Sequence, residues 1–233
     1  MKIQKLKLYH MPASRSARVK WVLHEAVGDD FEIEKISLYD GEQYGPEFVK
    51  LNPNHNVPVL QIIWEGGETG YMLESAAMVA FVADAYPDKR LAPPAGPAAE
   101  RADYLQMLHF GSTWMDMMLW QIRAHEHLLP PAERDLRTIA RYRNKVAEEV
   151  EPQLATRLAA GPYIRGNAFT AADCIVAHSV MWARAYGLCR QDTFKRYLSL
   201  VSKRPAFLRA MADAHEFSLE VPPGKPLAQL FNG

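Results

Sequence analysis

Hydrophobic and polar residues alternate in two short stretches near the start of the chain. Residues 5–10 and residues 31–37 both repeat with a period of two, which predicts two strands. Between them, apolar side chains recur at helical spacing before Gly28, which predicts a helix over residues 14–27 (Val19, Val22, Leu23 and Ala26). The first third of the chain therefore begins with a predicted β-α-β unit.

A hairpin pattern and a further helix follow a loop rich in Gly and Pro. Residues 57–63 and 71–73 predict two strands, and the GGETG sequence between them predicts the turn. Residues 74–86 form an apolar segment that Pro87 stops, which predicts a helix. Strand-helix-strand, hairpin, then helix is the element order of a thioredoxin-like fold.

The remainder of the chain changes character. Residues 87–100 hold four of the 16 prolines, which predicts a linker between domains. From residue 101 onward the sequence favours helices, about five of them, and shows no convincing strand pattern. Thr170 and Asp173 form a capping-box pattern that marks one helix start. We expect a thioredoxin-like domain over 1–87, a linker over 88–100 and an all-helical domain over 101–233.

Composition excludes several classes of protein. Lys plus Arg and Asp plus Glu number 27 each, and the pI is near 7.1, so we expect no nucleic-acid partner. The longest apolar run, residues 76–83, is too short to span a membrane, and the N-terminus lacks a secretory pattern, so we expect a cytoplasmic protein without a membrane partner. Cys174 and Cys189 fall in predicted helices as buried free thiols, and no metal site is expected.

Three positions combine polar groups with the start of a helix or strand. Ser14 lies where the first strand joins the first helix, so its hydroxyl could face an anion there or simply cap the helix. Pro58 begins a strand after Val57, and a cis bond there would expose the Val57 backbone for pairing with an extended peptide. Glu74 and Ser75 begin the next helix, where capping alone explains them.

Together, in this order, these segments resemble the cytosolic glutathione transferase superfamily over essentially the whole chain. MPASRSAR resembles the serine-type motif of the delta, theta and related bacterial classes, and LNPNHNVPVL resembles the segment that carries the family's cis-proline. LESAAMVAFVADAYP resembles the Glu-Ser helix of the family, and FTAAD its capping box. The resemblance implies a thioredoxin-like domain followed by an all-helical domain, with glutathione as co-substrate.

The resemblance also implies roles for single residues. Ser14 would donate a hydrogen bond to the glutathione sulfur, and Ser16 is the alternative hydroxyl. The Val57 backbone would pair with the cysteinyl part of glutathione, next to the cis-proline Pro58. The slot that holds the catalytic tyrosine in other classes is His10 here.

The two ends of glutathione would be held by other side chains. Glu74 and Ser75 would bind the γ-glutamyl amine and carboxylate. His55, with Asn56, would reach the glycine carboxylate, although many relatives carry Gly-Lys at these two positions. The delta-type pattern has Arg directly after Glu-Ser, where this chain has Ala76.

Apolar residues suggest a site for the second substrate and a subunit interface. Methionine and aromatic residues cluster in the first long helix of the second domain, where some could face the cleft and others form plain core. We expect a hydrophobic substrate site formed by Met11, Trp114, Met115 and Met118, with no partner for a charged substrate. Residues 76–83 are apolar on nearly every helical face, which predicts a homodimer.

The resemblance therefore implies an enzyme that conjugates glutathione thiolate to small hydrophobic electrophiles. Glutathione-dependent reduction or isomerisation is an alternative on the same fold. A non-catalytic ligand-binding or protein-binding member of the family is another, because fold alone does not determine function.

Overall fold

The computed structural model describes residues 2–225. Its N-terminal part contains a four-stranded sheet in the order β2-β1-β3-β4, with β1 and β2 parallel and the other neighbouring strands antiparallel. The elements in chain order are β1 (Ile3–His10), α1 (Ser16–Val27), β2 (Glu32–Lys35), α2 (Pro46–Leu51), β3 (Val59–Trp64), β4 (Thr69–Met72) and α3 (Ser75–Ala85). This arrangement confirms the predicted thioredoxin-like fold.

Local sequence explains most of these elements. Leu6 and Leu8 alternate with polar residues in β1 and are fully buried beneath α1. The parallel pairing of β1 with β2 requires a crossover, which α1 supplies. Helix α2 was not among the predicted elements, because it lies in the Gly- and Pro-rich loop. Pro46 occupies its first turn, where a missing N–H costs nothing.

The rest of the described chain is helical, as predicted. It contains seven α-helices within residues 99–210, more than the five expected: α4 (Ala99–His109), α5 (Asp116–Arg123), α6 (Leu136–Lys145), α7 (Glu151–Ala159), α8 (Ala171–Ala185), α9 (Asp192–Val201) and α10 (Pro205–Ala210). π-Helical turns at Phe110–Met115, Ala124–Leu128 and Val146–Val150 interrupt the regular winding. The capping box of Thr170 and Asp173 is present at the start of α8. The domain boundaries at residues 87 and 100 stay a prediction.

A continuous apolar core joins the sheet to the helices. Helix α1 packs against α3 on one side and against α8 and α10 on another. Trp21 of α1 is fully buried, with its ring 4.9 Å from that of Phe207. Cys174 and Cys189 are free and buried, as predicted, and burial raises the pKa of both thiols. Only Cys174 lies in a helix, because Cys189 is in the loop between α8 and α9, contrary to the expectation from sequence. Within residues 2–225, no helix is long and apolar enough to cross a membrane.

The last part of the described chain returns to the N-terminal domain. The Tyr39 hydroxyl donates to the Ser218 carbonyl at 2.7 Å and accepts from the Ser218 N–H at 2.9 Å. Lys35 pairs with Glu216, and Lys225 pairs with Asp40. These contacts place residues 213–225 beside the loop that follows β2, where they form one side of a cleft.

Candidate active site

A cleft of about 840 Å³ lies between the thioredoxin-like part and the helices, within the range of roughly 300–1,000 Å³ that small-molecule sites occupy. Its lining comes from the β1–α1 turn, the loops before α2 and β3, helices α5, α8 and α10, and the C-terminal segment. Most of its surface is apolar or aromatic, which suits an organic ligand. The lining includes Met11, Ser14, Tyr39, Val57, Trp120, Met181, Trp182, Phe207 and Phe217.

Ser14 lies at the mouth of this cleft, in the turn between β1 and α1. Its side chain is half-buried and lines the cleft. The Oγ atom is 2.8 Å from the Met11 carbonyl oxygen and 2.8 Å from Ser16 Oγ, and it accepts the Ser16 N–H at 3.2 Å. Ser14 therefore helps to satisfy the first turn of α1, as the capping alternative requires, and still presents a hydroxyl to the cleft.

Ser16 is fully buried and does not line the cleft. Its Oγ lies 2.7 Å from His10 Nδ1 and accepts the Met11 N–H at 3.1 Å. His10 Nε2 lies 3.2 Å from Asp213 Oδ2, so the carboxylate fixes the ring proton on Nε2 and leaves Nδ1 as an acceptor. The Ser16 hydroxyl then donates to His10, and Ser16 Oγ can accept from Ser14.

The buried His10 side chain is neutral near neutral pH. Burial lowers the pKa of His10 to about 4, and the nearby Lys20 acts in the same direction, while Asp213 opposes them. Near neutral pH the ring therefore keeps one free lone pair for Ser16. A tyrosine occupies this position in other classes of the resembled family. In this protein the residue is His10, which stabilises the turn through its hydrogen bond with Ser16.

A second histidine holds the same turn from the helical side. Buried Arg18 donates from Nε to His178 Nδ1 at 3.0 Å, so the His178 proton is on Nε2, which donates to the Ala13 carbonyl at 3.2 Å. Burial lowers the pKa of His178 to about 3, and Arg18 adds to this effect. Arg18 is itself held by Asp116 of α5, which also pairs with Arg15. The turn that carries Ser14 is thus fixed from both parts of the molecule.

Val57, whose backbone is predicted to pair with an extended peptide, lines the cleft. The bond between Val57 and Pro58 is cis, and Val57 lines the cleft while Pro58 is buried behind it. Within residues 2–225, neither the N–H nor the C=O of Val57 has a protein hydrogen-bond partner. Both groups are therefore available to an extended peptide.

The residues predicted to hold the ends of glutathione lie around Val57. His55 and Asn56 are exposed and line the cleft, and the His55 ring packs 5.0 Å from that of Tyr44. Glu74 is exposed with a φ of 70°, a strained value for a residue other than glycine, and Ser75 is buried. Glu74 and Ser75 are outside the cleft lining, although the preceding Leu73 packs on the cluster that contains Val57.

Of the residues predicted for the hydrophobic substrate site, the structure brings only Met11 to the cleft. Met115 and Met118 are fully buried in the core, and Trp114 is 40% exposed outside the cleft, with the Lys145 ammonium 5.3 Å from the centre of its ring. Trp120, Met181 and Trp182 form the wall instead. The sequence analysis also missed Arg15, Arg123, His178 and the C-terminal segment, which lie in the cleft only because of long-range packing.

Comparison with known proteins agrees with this architecture. The family model for the glutathione S-transferase N-terminal domain matches residues 4–84. The N-terminal part of the chain is therefore similar to that domain. Glutathione S-transferase 3 of Zea mays is 29% identical over 218 residues, which cover 89% of this chain and 93% of the maize protein. The alignment to glutathione S-transferase D7 of Anopheles gambiae is 32% identical but spans only 44% of each chain.

Other similar proteins are named for a different activity or were solved with a different ligand. The disulfide-bond oxidoreductase YfcG of Escherichia coli is 26% identical over 211 residues, covering 89% of this chain and 94% of that protein. The crystal structure of the glutathione transferase URE2P8 of Phanerochaete chrysosporium with oxidised glutathione aligns with a TM-score of 0.76 at 26% identity, covering 91% of this chain and 96% of that one. Within residues 2–225, no group of three or more His, Cys, Asp or Glu residues is placed to hold a metal ion.

Proposed function

We propose that the protein is a serine-type glutathione transferase that conjugates the glutathione thiolate to small, largely apolar electrophiles. The observation that carries this proposal is the Ser14 hydroxyl at the mouth of a mainly apolar cleft, beside the unpaired Val57 backbone. A tripeptide paired with Val57 would bring its cysteinyl sulfur toward the start of α1. An electrophile would bind against Met11, Trp120 and Trp182.

The energy needed to ionise the thiol is within reach of a serine. Lowering a thiol pKa of about 8.5 by about two units requires about 2.7 kcal/mol. A hydrogen bond to a charged sulfur supplies about 1.5–3 kcal/mol, and a helix N-terminus adds about 0.3–1 kcal/mol. A general base is therefore unnecessary. The Ser14 proton exchanges its bond to Met11 or Ser16 for one to the sulfur.

The remaining contacts of glutathione follow the same proposal. Glu74 and Ser75 bind the γ-glutamyl amine and carboxylate, and His55 with Asn56 reaches the glycine end. The cytosol, where glutathione keeps thiols reduced, suits the two free buried cysteines, so we propose a cytoplasmic location. The active form is proposed to be a homodimer.

Glutathione-dependent reduction of disulfides or isomerisation is the second candidate function. It is supported by the similarity to an oxidoreductase and to a transferase that was solved with oxidised glutathione. Cys174 and Cys189 are buried away from the cleft, so in this case the attacking thiolate would belong to glutathione itself. A non-catalytic binding protein is the third candidate.

Two serine variants test the proposal. Ser14→Ala should lower the thiolate absorbance of bound glutathione near neutral pH, and turnover of 1-chloro-2,4-dinitrobenzene, by at least about tenfold, the loss of one charge-assisted hydrogen bond. Ser16→Ala should be milder, because the Ser16 hydroxyl is outside the cleft. Full activity in Ser14→Ala together with loss in Ser16→Ala would refute the assignment.

A substrate panel separates the candidate functions. Retention on glutathione resin together with turnover of chloronitrobenzenes supports the transferase. Turnover restricted to peroxides or mixed disulfides supports the reductase. Retention without turnover of any of these compounds supports the binding protein.

A further inference from the structure

The charged groups of the cleft are all of one sign. Among its lining residues, Arg15 and Arg123 are the charged side chains, and no Asp or Glu lines it within the part of the chain that the structure describes. The histidine at 178 is neutral because its pKa is low. Arg15 is paired with Asp116 through a two-pronged contact, with Nε–Oδ1 at 2.8 Å and Nη2–Oδ1 at 2.6 Å. The second guanidinium has no such partner.

Arg123 lies at the end of α5 on the helical wall of the cleft, half-buried. No carboxylate within residues 2–225 lies within 4.0 Å of it, and its Nε atom is buried without a hydrogen-bond partner. Its guanidinium is 4.8 Å from the centre of the Phe217 ring. Burial lowers the pKa of Arg123, but an arginine side chain remains charged in proteins. The structure therefore holds a cation in the cleft without a counter-ion.

The helical wall of the cleft carries one further unpartnered hydrogen-bond donor. Trp182 lines the cleft, and its buried Nε1 makes no hydrogen bond of normal length to residues 2–225, while the Tyr186 hydroxyl beside it lies outside the lining. An indole N–H can only donate, and so can every N–H of a guanidinium. A ligand group that satisfies these atoms must be an acceptor, and a carboxylate fits a guanidinium best because it can bond it with two oxygens.

We propose that Arg123 is a specificity-determining residue that binds a carboxylate on the second substrate. The proposal rests on the transferase function above and names the class of its electrophile: an apolar, preferably aromatic body with an anionic end. The Arg15 guanidinium lies 5.0 Å from the Trp120 ring and 5.1 Å from the Trp182 ring, so the body would pack against the parts of these rings that Arg15 leaves open, while the carboxylate reaches Arg123. This changes the expectation from sequence, which gave a charged substrate no partner.

The reaction with such a substrate balances without a further reagent. The glutathione sulfur forms a bond to the ring carbon that carries chlorine in 4-chloro-3,5-dinitrobenzoate. The carbon–chlorine bond then breaks, and chloride leaves with the electron pair. The carboxylate takes no part in bond formation; its contact with Arg123 holds the ring in place.

The test compares 4-chloro-3,5-dinitrobenzoate with its methyl ester, which has the same ring and no charge. Arg123→Met should lower kcat/KM for the acid by about tenfold or more, the usual effect of losing a charge-assisted bond, and for the ester by less than about twofold. Arg123→Lys should restore part of the preference for the acid. The quantity compared between proteins is the ratio of kcat/KM for the acid to kcat/KM for the ester. The different intrinsic reactivities of the two compounds cancel, because they enter this ratio equally in every protein.

A matched control removes a positive charge elsewhere. Arg196 of α9 is exposed and outside the cleft, so Arg196→Met should leave the acid-to-ester ratio unchanged. An equal loss of activity on acid and ester in Arg123→Met would overturn the proposal. So would weaker binding of glutathione itself in that variant, measured by calorimetry, because Arg123 would then hold the glycine carboxylate of glutathione.

A binding measurement keeps this proposal separate from the proposed catalysis. Unreactive 3,5-dinitrobenzoate should quench the fluorescence of Trp120 and Trp182 at lower concentration than 1,3-dinitrobenzene does, and Arg123→Met should abolish the difference. This result with no turnover of any chloro compound would support the carboxylate site and reject the transferase. Turnover of neutral chloro compounds without a preference for the acid would support the transferase and reject the carboxylate site.

Discussion

At the scale of single residues, Ser14 and Ser16 show what sequence alone leaves open. They are two positions apart, both near the start of α1, and local pattern cannot tell which hydroxyl reaches a ligand. Burial separates them, because Ser16 is enclosed between Met11 and His10 while Ser14 opens to the cleft. His10 is itself hydrogen-bonded to Asp213, which lies 203 residues further along the chain, so no local sequence signal could reveal this contact.

The affinity for glutathione should depend on Glu74. A γ-glutamyl amine needs an acceptor at the start of α3, and the exposed carboxylate of Glu74 lies there. Glu74→Ala should weaken glutathione binding by about 2 kcal/mol, as the loss of a charge-assisted contact does. Calorimetry measures this directly. Glu47→Ala, an exposed carboxylate on α2, is the control, and unchanged affinity in both variants would remove Glu74 from the site.

The neutral state of His10 predicts how stability depends on pH. Its pKa is about 4 in the folded protein and about 6.5 when unfolded, so the unfolded chain binds more protons between these values. Above about pH 6.5 His10 does not change the free energy of unfolding. As the pH falls to about 4, protonation of His10 in the unfolded chain lowers the free energy of unfolding by up to about 3 kcal/mol. His178 acts in the same direction. His10→Gln should therefore flatten, without removing, the slope of urea-unfolding free energy between pH 6.5 and 4; an unchanged slope would contradict a neutral buried His10.

At the scale of elements, the sequence predicted the order of strands and helices in the first domain except for the short α2, because each of the others has a clear period and a clear stop signal. It did not predict which face of the α4–α5 segment meets the cleft. Met115 and Met118 are as apolar as Trp120, so composition cannot distinguish core from wall. The π-helical turn at Phe110–Met115 also shifts the helical phase, which displaces any face inferred from a regular period.

The contact between α1 and α5 should contribute strongly to stability. Asp116 is buried and neutralises Arg18, which is also fully buried. Asp116→Asn leaves that guanidinium without a counter-charge and should cost about 3–5 kcal/mol in the free energy of unfolding. Glu47→Gln removes an exposed ion pair with Lys50 and should cost less than about 1 kcal/mol. Equal effects of the two variants in urea unfolding would show that Asp116 is not needed as an ion.

At the scale of the whole molecule, the cleft depends on the meeting of distant segments. Turn residues from β1–α1, helices α5 and α8, and residues 213–225 all contribute to it. The sequence motifs predicted the part near Val57, because those residues are consecutive. The opposite wall, with Arg123 and Trp182, is set by how the helices pack, which no single stretch of sequence specifies.

The last prediction concerns the oligomer. Most of α3 is buried within the chain, with Met78, Val79 and Val82 fully enclosed, so the apolar run over residues 76–83 is explained in large part by the fold itself. Ala77, Ala80 and Phe81 remain only half-buried, and Tyr71 on the adjacent strand β4 is 46% exposed. This residual apolar surface is what we expect a second copy to cover.

Light scattering at micromolar concentration should therefore give about twice the chain mass of 26.4 kDa. Phe81→Lys places a charge in the residual surface of α3 and should shift the mass toward one chain, because an unpaired charge is costly at an apolar interface. Leu136→Lys is the matched control, since Leu136 is 78% exposed at the start of α6 and should leave the mass unchanged. A single-chain mass for the unaltered protein would exclude a stable dimer. A dimer that survives Phe81→Lys would place the interface on another face.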